Sequence, residues 1–180
     1  DHPFLAGQVV AEACYSGGGG LQSLCPGGVA ASTASGSARD CPPFIKGCGH
    51  GTHVAGIVAG KKGVRGIMSG VAPGARIIAI QVFSLSRTAC PGISPGTISP
   101  GISCTKSATS NLIQGLERVQ AVRNTYKIAA VNMSLEAGRY SDTATCDRDF
   151  SAMKAVIDRL RTVGIATVVV YSEADADSLA

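Results

Sequence analysis

Aromatic side chains are scarce in this sequence of 180 residues: they make up 4% of it, and tryptophan is absent. A protein that binds single-stranded nucleic acid stacks bases on exposed aromatic rings, so this composition argues against such a platform. Charged residues are also few, at 16%, and the net charge of +4 comes from basic residues scattered along the chain. Binding to a phosphate backbone needs clustered lysine and arginine. We therefore expect no nucleic-acid partner.

Long apolar runs are missing as well. The longest in the C-terminal half covers 165–170 and is interrupted by Thr167, whereas a helix that crosses a bilayer needs about 20 apolar residues. The first residues also lack the basic segment followed by an apolar one that marks an export signal. We therefore expect no membrane partner.

Cysteine, by contrast, is abundant. The chain is long enough for one domain with a sizeable core. There are seven cysteines, more than a reducing cytosolic enzyme without a metal normally carries. We expect disulfides and a secreted or extracellular protein. Because seven is odd, one thiol is left over, and its partner is expected outside the 180 residues. The cysteines are Cys14, Cys25, Cys41, Cys48, Cys90, Cys104 and Cys146.

From residue 64 onward, strand-like runs alternate with helical patterns, which is the signature of a parallel α/β sheet. The predicted strands cover 75–83, 128–135 and 165–171. Between them, 109–126 carries an apolar stripe at helical spacing, with Leu112 and Leu116 on it. A second helix is predicted around Phe150, with Asp147 and Asp149 at its N-terminal end and Gly164 just past its C-terminal end.

Two regions rich in glycine, proline, serine and cysteine, 16–46 and 84–106, are predicted to be loops. The second contains three imperfect copies of a Pro-Gly-Ile-Ser pattern between Cys90 and Cys104. A disulfide between these two cysteines would close the loop at its base, so we interpret 84–106 as a surface insertion.

The segment Gly49–Gly60, GHGTHVAGIVAG, is the most informative part of the chain. It places His50 and His53 at the start of a helix of small residues. A histidine in the first turn of a helix is held at a fixed angle and titrates near neutral pH, which suits a proton shuttle. A zinc site made of Cys48, His50 and His53 is the rival interpretation, but the ligand spacing is unusual and a fourth ligand is missing. Cys48 fits better in a disulfide, either with Cys41 or with Cys14.

The string HGTHVAG closely resembles the histidine motif of the subtilisin-like serine peptidases. Gly70–Ala75 resembles the family's GVAP turn, and Val131–Leu135 resembles its strand beside the substrate pocket. The resemblance implies a three-layer α/β/α fold with a mainly parallel sheet, of which 1–180 is a truncated, partial peptidase domain. It also implies that His50 is the catalytic general base, that His53 is a packed structural residue, and that Ser134 and Leu135 contact substrate.

The resemblance also shows what the chain does not carry. A Ser-His-Asp triad divides proton transfer, orientation and nucleophilic attack among three side chains. The family's aspartate motif, D-T/S-G, and its serine motif, G-T-S-M-A, are not found in the sequence. Glu173 stands where the family has its oxyanion asparagine, and Glu136 replaces a glycine at the substrate edge. We expect a serine endopeptidase of which this chain, inactive alone, carries only the histidine; a catalytically inactive peptide-binding or decoy domain is the alternative.

The remaining expectations concern ligands and partners. No cofactor or metal ligand is assigned; the resemblance allows a structural calcium ion but points to no residues for it. The expected partner is a peptide or protein substrate, and the complete protein is expected to be a monomer.

Overall fold

The computed structural model of the chain describes residues 2–62, 68–87, 90, 103–135 and 140–169. The chain divides into two compact units, Asp1–Gly115 and Leu116–Ala180. Its α-helices are α1 His50–Ala59, α2 Thr109–Val122, α3 Thr143–Asp149 and α4 Ser151–Thr162. Its strands are β1 Val9–Tyr15, β2 Gln22–Ser23, β3 Ala31–Ser32, β4 Ile77–Gln81, β5 Phe83–Ser86, β6 Cys104–Ser107, β7 Ala130–Met133 and β8 Ala166–Val169.

The first unit contains a mixed sheet in which β1 is the central strand and the order is β3-β1-β4. β1 runs parallel to β4, with Ala11 opposite Ile78 and Cys14 opposite Gln81, and antiparallel to β3. Ala13 and Cys14 are fully buried, so the C-terminal half of β1 lies in the core of this unit.

The sequence patterns did not predict β1, because Glu12 interrupts its run of small apolar residues. The structure shows how a carboxylate is accommodated in the strand. Glu12 is only half-buried, and its carboxylate accepts a hydrogen bond from the Gly36 N–H at 2.5 Å. Pairing the charge with a backbone donor reduces the cost of placing it in a sheet.

A second sheet of the first unit has the order β2-β5-β6, and both of its strand pairs are antiparallel. The strand predicted over 75–83 is therefore divided. Ile77–Gln81 belongs to the first sheet, Phe83 begins the second, and the buried Val82 lies between them. Apolar periodicity does not show where a chain leaves one sheet for another, since both strands are partly buried.

Both ends of the range 84–106, predicted as a loop, are strands: β5 and β6 form a hairpin with Ser86 opposite Cys104. Cys104 is bonded to Cys90, so the disulfide predicted to bracket the repeats is confirmed. Residues 91–102, which hold most of the three repeats, lie outside the described residues. The interpretation of 84–106 as an insertion stays a prediction for that part of the chain.

The other cysteines form two further disulfides, Cys14–Cys25 and Cys41–Cys48. The second is one of the two pairings left open for Cys48. Among the cysteines in the described residues, Cys146, half-buried on α3, is the one that is free. The disulfides expected from the composition are thus present.

The helix predicted over 109–126 is α2, which ends at Val122. After it, the N–H groups of Thr125 and Tyr126 both donate to the Val122 carbonyl and form a turn. The predicted apolar stripe is confirmed, because all of its members are at most 8% exposed: Leu112, Leu116, Val119 and Val122.

In the second unit, β7 and β8 form a parallel pair with Val131 opposite Thr167. They lie within the strands predicted over 128–135 and 165–171. The single helix predicted around Phe150 is two helices, α3 and α4, that meet at that residue. Asp147 and Asp149 lie inside α3 rather than at a helix start, because Asp142 caps it by accepting a hydrogen bond from the Thr145 N–H.

The C-terminal end of α4 is where the sequence predicted it, just before Gly164. Gly164 has a positive φ of 80°. Its N–H donates to the Arg161 carbonyl, and the Ile165 N–H reaches back to the Leu160 carbonyl at 3.0 Å. A glycine in this conformation is the usual way to end a helix before a strand.

The chain has an α/β fold, as predicted. The described strands form two sheets in the first unit and a parallel pair in the second, and the mainly parallel sheet of a three-layer arrangement stays a prediction. Among the helices that the structure describes, none has both the length and the apolar character needed to span a membrane.

Candidate active site

His50 is the first residue of α1 and is exposed to solvent. The residue before it, Gly49, is the N-cap and has a φ of 86°, in the left-handed region that glycine adopts without strain. The His50 imidazole lies edge-on to the Phe83 ring, with centroids 6.5 Å apart and an interplanar angle of 88°. The imidazole is therefore accessible to solvent and has one aromatic neighbour.

Phe83 is itself held by a buried polar network at the start of β5. The Ser16 hydroxyl donates to the Phe83 carbonyl at 2.7 Å, and the Phe83 N–H donates to the Gln81 side-chain oxygen. Next to them, the Ser84 hydroxyl accepts from the Gly17 N–H at 2.7 Å. Ser16 and Ser84 are almost fully buried, and such hydrogen-bonded buried groups favour one arrangement of the backbone.

His53 is exposed, which corrects the expectation that it is a packed structural residue. Ile57 and Val58, further along α1, are exposed by 56% and 40%, and Ala59 is the buried residue of the helix. Residues 54–56 are half-buried, so α1 packs along its middle and at Ala59, whereas the His53 side chain is exposed to solvent.

The C-terminal end of α1 is tied down by a segment of the predicted GVAP turn. The N–H groups of Gly70, Val71 and Ala72 donate to the last carbonyls of α1 and its C-cap at 2.8–2.9 Å. The carboxamide of Gln8, 1% exposed, donates to the Ala59 carbonyl at 2.7 Å and to the Pro73 carbonyl at 2.8 Å. Except for the bond to Pro73, these bonds satisfy carbonyls that a helix end leaves without an internal partner.

The approach of this segment to α1 requires glycine. A Cβ on Gly70 would lie 2.6 Å from the Gly60 nitrogen and 2.7 Å from the Gly56 carbonyl oxygen. A Cβ on Gly60 would overlap the ring of Phe4. Gly70 therefore allows two backbone segments to pack directly against each other, and Gly60 leaves room for the Phe4 ring.

The segment before His50 is a small loop closed by the Cys41–Cys48 disulfide. Lys46 ties it to β6: the Lys46 N–H donates to the Ser103 carbonyl at 3.0 Å, and the Lys46 carbonyl accepts from the Thr105 N–H at 2.9 Å. Gly47, with a φ of 99°, passes so close to the Thr105 hydroxyl that a Cβ would clash with it. The backbone that leads into α1 is thus restrained at several points.

Asp40 lies beside the start of α1. Its Oδ1 atom accepts hydrogen bonds from the Gly49 N–H at 2.8 Å and from the Cys41 N–H at 3.0 Å. The Thr52 hydroxyl donates to its Oδ2 atom at 3.3 Å. Sequence reasoning missed this residue, because a helix cap is normally sought next to the helix start and Asp40 is far from it along the chain.

The residues near α1 do not fit a metal ion. In the described part of the chain, Asp40, Cys41 and Cys48 are the one group of acidic, cysteine and histidine residues close enough to share an ion. Both cysteines are in a disulfide, so neither offers a thiolate. The same bond removes Cys48 from the zinc site considered with His50 and His53.

Ser134 and Leu135, the predicted substrate contacts, directly follow β7 in the second unit and are half-buried. The Ser134 hydroxyl accepts a hydrogen bond from the Asn132 carboxamide at 3.0 Å. His50 belongs to the first unit. Glu136 and Glu173 lie outside the described residues.

The motif and its setting define a class of protein: the chain belongs to the subtilase family, whose members are serine peptidases. The sequence profile of this family matches residues 45–172. The match includes His50, the GVAP turn and β7.

Two similar curated proteins are both named subtilisin-like protease 8. One, from Arthroderma otae (strain ATCC MYA-4605 / CBS 113480), is 33% identical over 135 residues, which cover 74% of this chain and 23% of that protein. The other, from Trichophyton verrucosum (strain HKI 0517), is 31% identical over the same number of residues, with the same coverage. The aligned part is less than a quarter of each relative's length. No solved structure gives a significant match.

Proposed function

We propose that the chain is part of the catalytic domain of a serine endopeptidase and that His50 is its general base. The observation that carries the proposal is the placement of His50: it is the first residue of α1, within HGTHVAG, and its imidazole is exposed. In peptide-bond hydrolysis by such enzymes, an imidazole takes the proton of the serine hydroxyl during attack and returns it to the leaving amine. Fixed backbone on both sides of His50 favours that role, because proton transfer depends on geometry.

The substrate is a peptide or protein, and Ser134 and Leu135 contact it. Their position after β7 supports this, since the carboxyl end of a parallel strand is where ligands bind in α/β folds. The half-buried Ser134 and Leu135 retain surface for such a contact. Ser134 keeps its hydroxyl oriented through Asn132.

The complete catalytic domain adds the triad's aspartate and serine, whose motifs the 180 residues do not contain. We therefore propose that this chain is inactive by itself and that 1–180 is one partial domain with an insertion at 84–106. The three-layer arrangement around one mainly parallel sheet is a prediction for the complete domain, which we propose to be a monomer.

We also propose that the protein is secreted. Three disulfides in a chain of this size fit an oxidising compartment, because cytosolic thiols are kept reduced.

Labelling with a fluorophosphonate probe tests the proposal, because the probe reacts with activated serine nucleophiles. Two products are compared: the 180-residue chain and the complete reading frame that contains it. We expect labelling of the second product alone. Labelling of the 180-residue chain that His50→Ala abolishes would show that the nucleophile lies within these residues and would overturn the proposed inactivity.

The same experiment separates the alternative, an inactive peptide-binding or decoy domain, which Glu136 and Glu173 suggest. A complete product that binds peptides but is never labelled would support the decoy. Sequencing the gene across both ends of these residues adds a direct criterion: complete aspartate and serine motifs, with asparagine at position 173, would exclude it.

A further inference from the structure

The carboxylate of Asp40 contacts the first turn of α1 on both sides of His50. One contact is with the Gly49 N–H, which belongs to the residue immediately before His50. The other is with the Thr52 hydroxyl, two residues after it. Asp40 therefore bridges the backbone that carries the imidazole.

The first turn needs such a partner because its N-cap is a glycine. Serine, threonine, aspartate or asparagine at the N-cap would accept a hydrogen bond from the first turn with its own side chain. Gly49 has no side chain and makes no such bond. In a capping box, a carboxylate from inside the helix reaches back to the N–H of the N-cap residue; Asp40 supplies the same bond from outside the helix.

The charge of Asp40 acts in the same direction. The N-terminal end of a helix carries a partial positive charge, which a nearby carboxylate stabilises. The Cys41–Cys48 disulfide keeps Asp40 within reach, because it joins the residue after Asp40 to the residue before Gly49.

We propose that Asp40 is a positioning residue for the His50 imidazole: its carboxylate fixes the first turn of α1 and thereby the direction in which the His50 side chain leaves the helix. The proposal deepens the proposed peptidase function and, in its catalytic consequence, rests on it. Asp40 takes no part in the chemistry, since its contacts are with the backbone of Gly49 and Cys41 and with Thr52.

The experiment uses the 180-residue chain labelled with isotopes in its histidines and glycines. NMR follows the imidazole signals of His50 and the hydrogen exchange of the Gly49 amide in wild type, Asp40→Ala and Asp40→Asn. The matched control is Asp142→Ala, which removes the cap of α3 and leaves α1 untouched. His53→Asn and His2→Asn assign the histidine signals.

We expect Asp40→Ala to change the His50 signals and to speed exchange of the Gly49 amide about tenfold, the value of one modest hydrogen bond. Asp40→Asn keeps a carbonyl oxygen and restores protection in part, so it also serves if the alanine variant does not fold. Asp142→Ala leaves both readouts at wild-type values. The proposal would be overturned if the His50 signals stayed at their wild-type positions in both Asp40→Ala and Asp40→Asn. It would also be overturned if Asp142→Ala shifted the His50 signals as much as Asp40→Ala does.

A second readout, in the complete enzyme, is the division between kcat and KM. Misplacing a catalytic group lowers kcat by about ten- to a hundredfold, and substrate binding is retained. We expect Asp40→Ala to lower kcat with KM unchanged; a raised KM with wild-type kcat contradicts positioning. If the proposed function is wrong, the wild-type protein has no peptidase activity although the His50 signals still respond to Asp40, so the two failures are distinguishable.

Discussion

The imidazole of His50 and the ring of Phe83 meet edge to face, with their centroids 6.5 Å apart. The contact joins the first residue of α1 to the first residue of β5. Edge-to-face pairs of rings are favourable beyond the area that they bury. Phe83 thus limits the positions that the exposed His50 side chain adopts.

Replacement of Phe83 by alanine removes this neighbour. We expect the His50 ring protons to lose their ring-current shift and the free energy of unfolding to fall by about 2 kcal/mol, less than for fully buried phenylalanines because Phe83 is half-buried. NMR of the histidine ring and urea unfolding measure the two effects. Phe83→Leu is the control: it retains most of the stability but loses the ring-current shift. Unchanged His50 shifts in Phe83→Ala would show that the two rings are not in contact in solution.

The buried carboxamide of Gln8 is predicted to be important for stability. It donates to the carbonyls of Ala59 and Pro73, and in Gln8→Leu both carbonyls lose this donor. An unsatisfied buried polar group costs about 1–3 kcal/mol, so we expect the variant to lose about 2–4 kcal/mol in urea unfolding. Gln22→Ala is the control, because the Gln22 side chain on β2 is exposed. This variant should leave the free energy of unfolding nearly unchanged. Equal effects of the two variants would contradict the bridging role of Gln8.

Gly70 is predicted to tolerate no side chain. A methyl group there would meet the backbone of Gly60 and Gly56, which cannot move aside as a flexible side chain does. We expect Gly70→Ala to lower the melting temperature by several degrees, since overpacking costs about 1–3 kcal/mol. Gly74 is a matched control in the same segment, because a Cβ there has nothing within 4 Å. If Gly70→Ala and Gly74→Ala melted at the same temperature, the prediction for Gly70 would be contradicted.

Acid should weaken the second unit in part through Asp142. The hydrogen bond from the Thr145 backbone N–H lowers the pKa of this carboxyl in the folded state. The unfolded value is about 3.9, so the ionised carboxylate stabilises the fold above about pH 4, and this stability is lost as the pH falls through the lower folded pKa.

We therefore expect Asp142→Asn to reduce the difference between the urea midpoints at pH 7 and pH 3. Asp158 contributes to the remaining difference between the midpoints, because its hydrogen bond with the Lys154 ammonium lowers its pKa. Asp158→Asn should reduce the difference independently. An unchanged pH dependence in both variants would exclude these two carboxyls as its source.

Local patterns in the sequence predicted the elements whose causes are local. The apolar stripe of α2 is one, and the left-handed Gly164 after α4 is another, since both depend on residues within a few positions. The pairing of Cys90 with Cys104 also followed from the loop that the two residues enclose.

Features that depend on distant residues were missed. β1 was overlooked because Glu12 breaks its pattern, and its charge is matched by Gly36 from elsewhere in the chain. The exposure of His53 depends on which residues pack against α1, and the motif alone does not predict those residues. Asp40 was missed for a related reason, because its contact with Gly49 exists only once the chain between them has closed.

The most direct test of the general-base role is the activity of the complete enzyme after His50→Ala, with His53→Ala as the control three residues away. Loss of a triad histidine typically lowers kcat by about a millionfold. We predict a loss of this order for His50→Ala in peptide hydrolysis, matched by loss of fluorophosphonate labelling, and less than a tenfold loss for His53→Ala. Wild-type turnover in His50→Ala, or an equal loss in His53→Ala, would contradict the account.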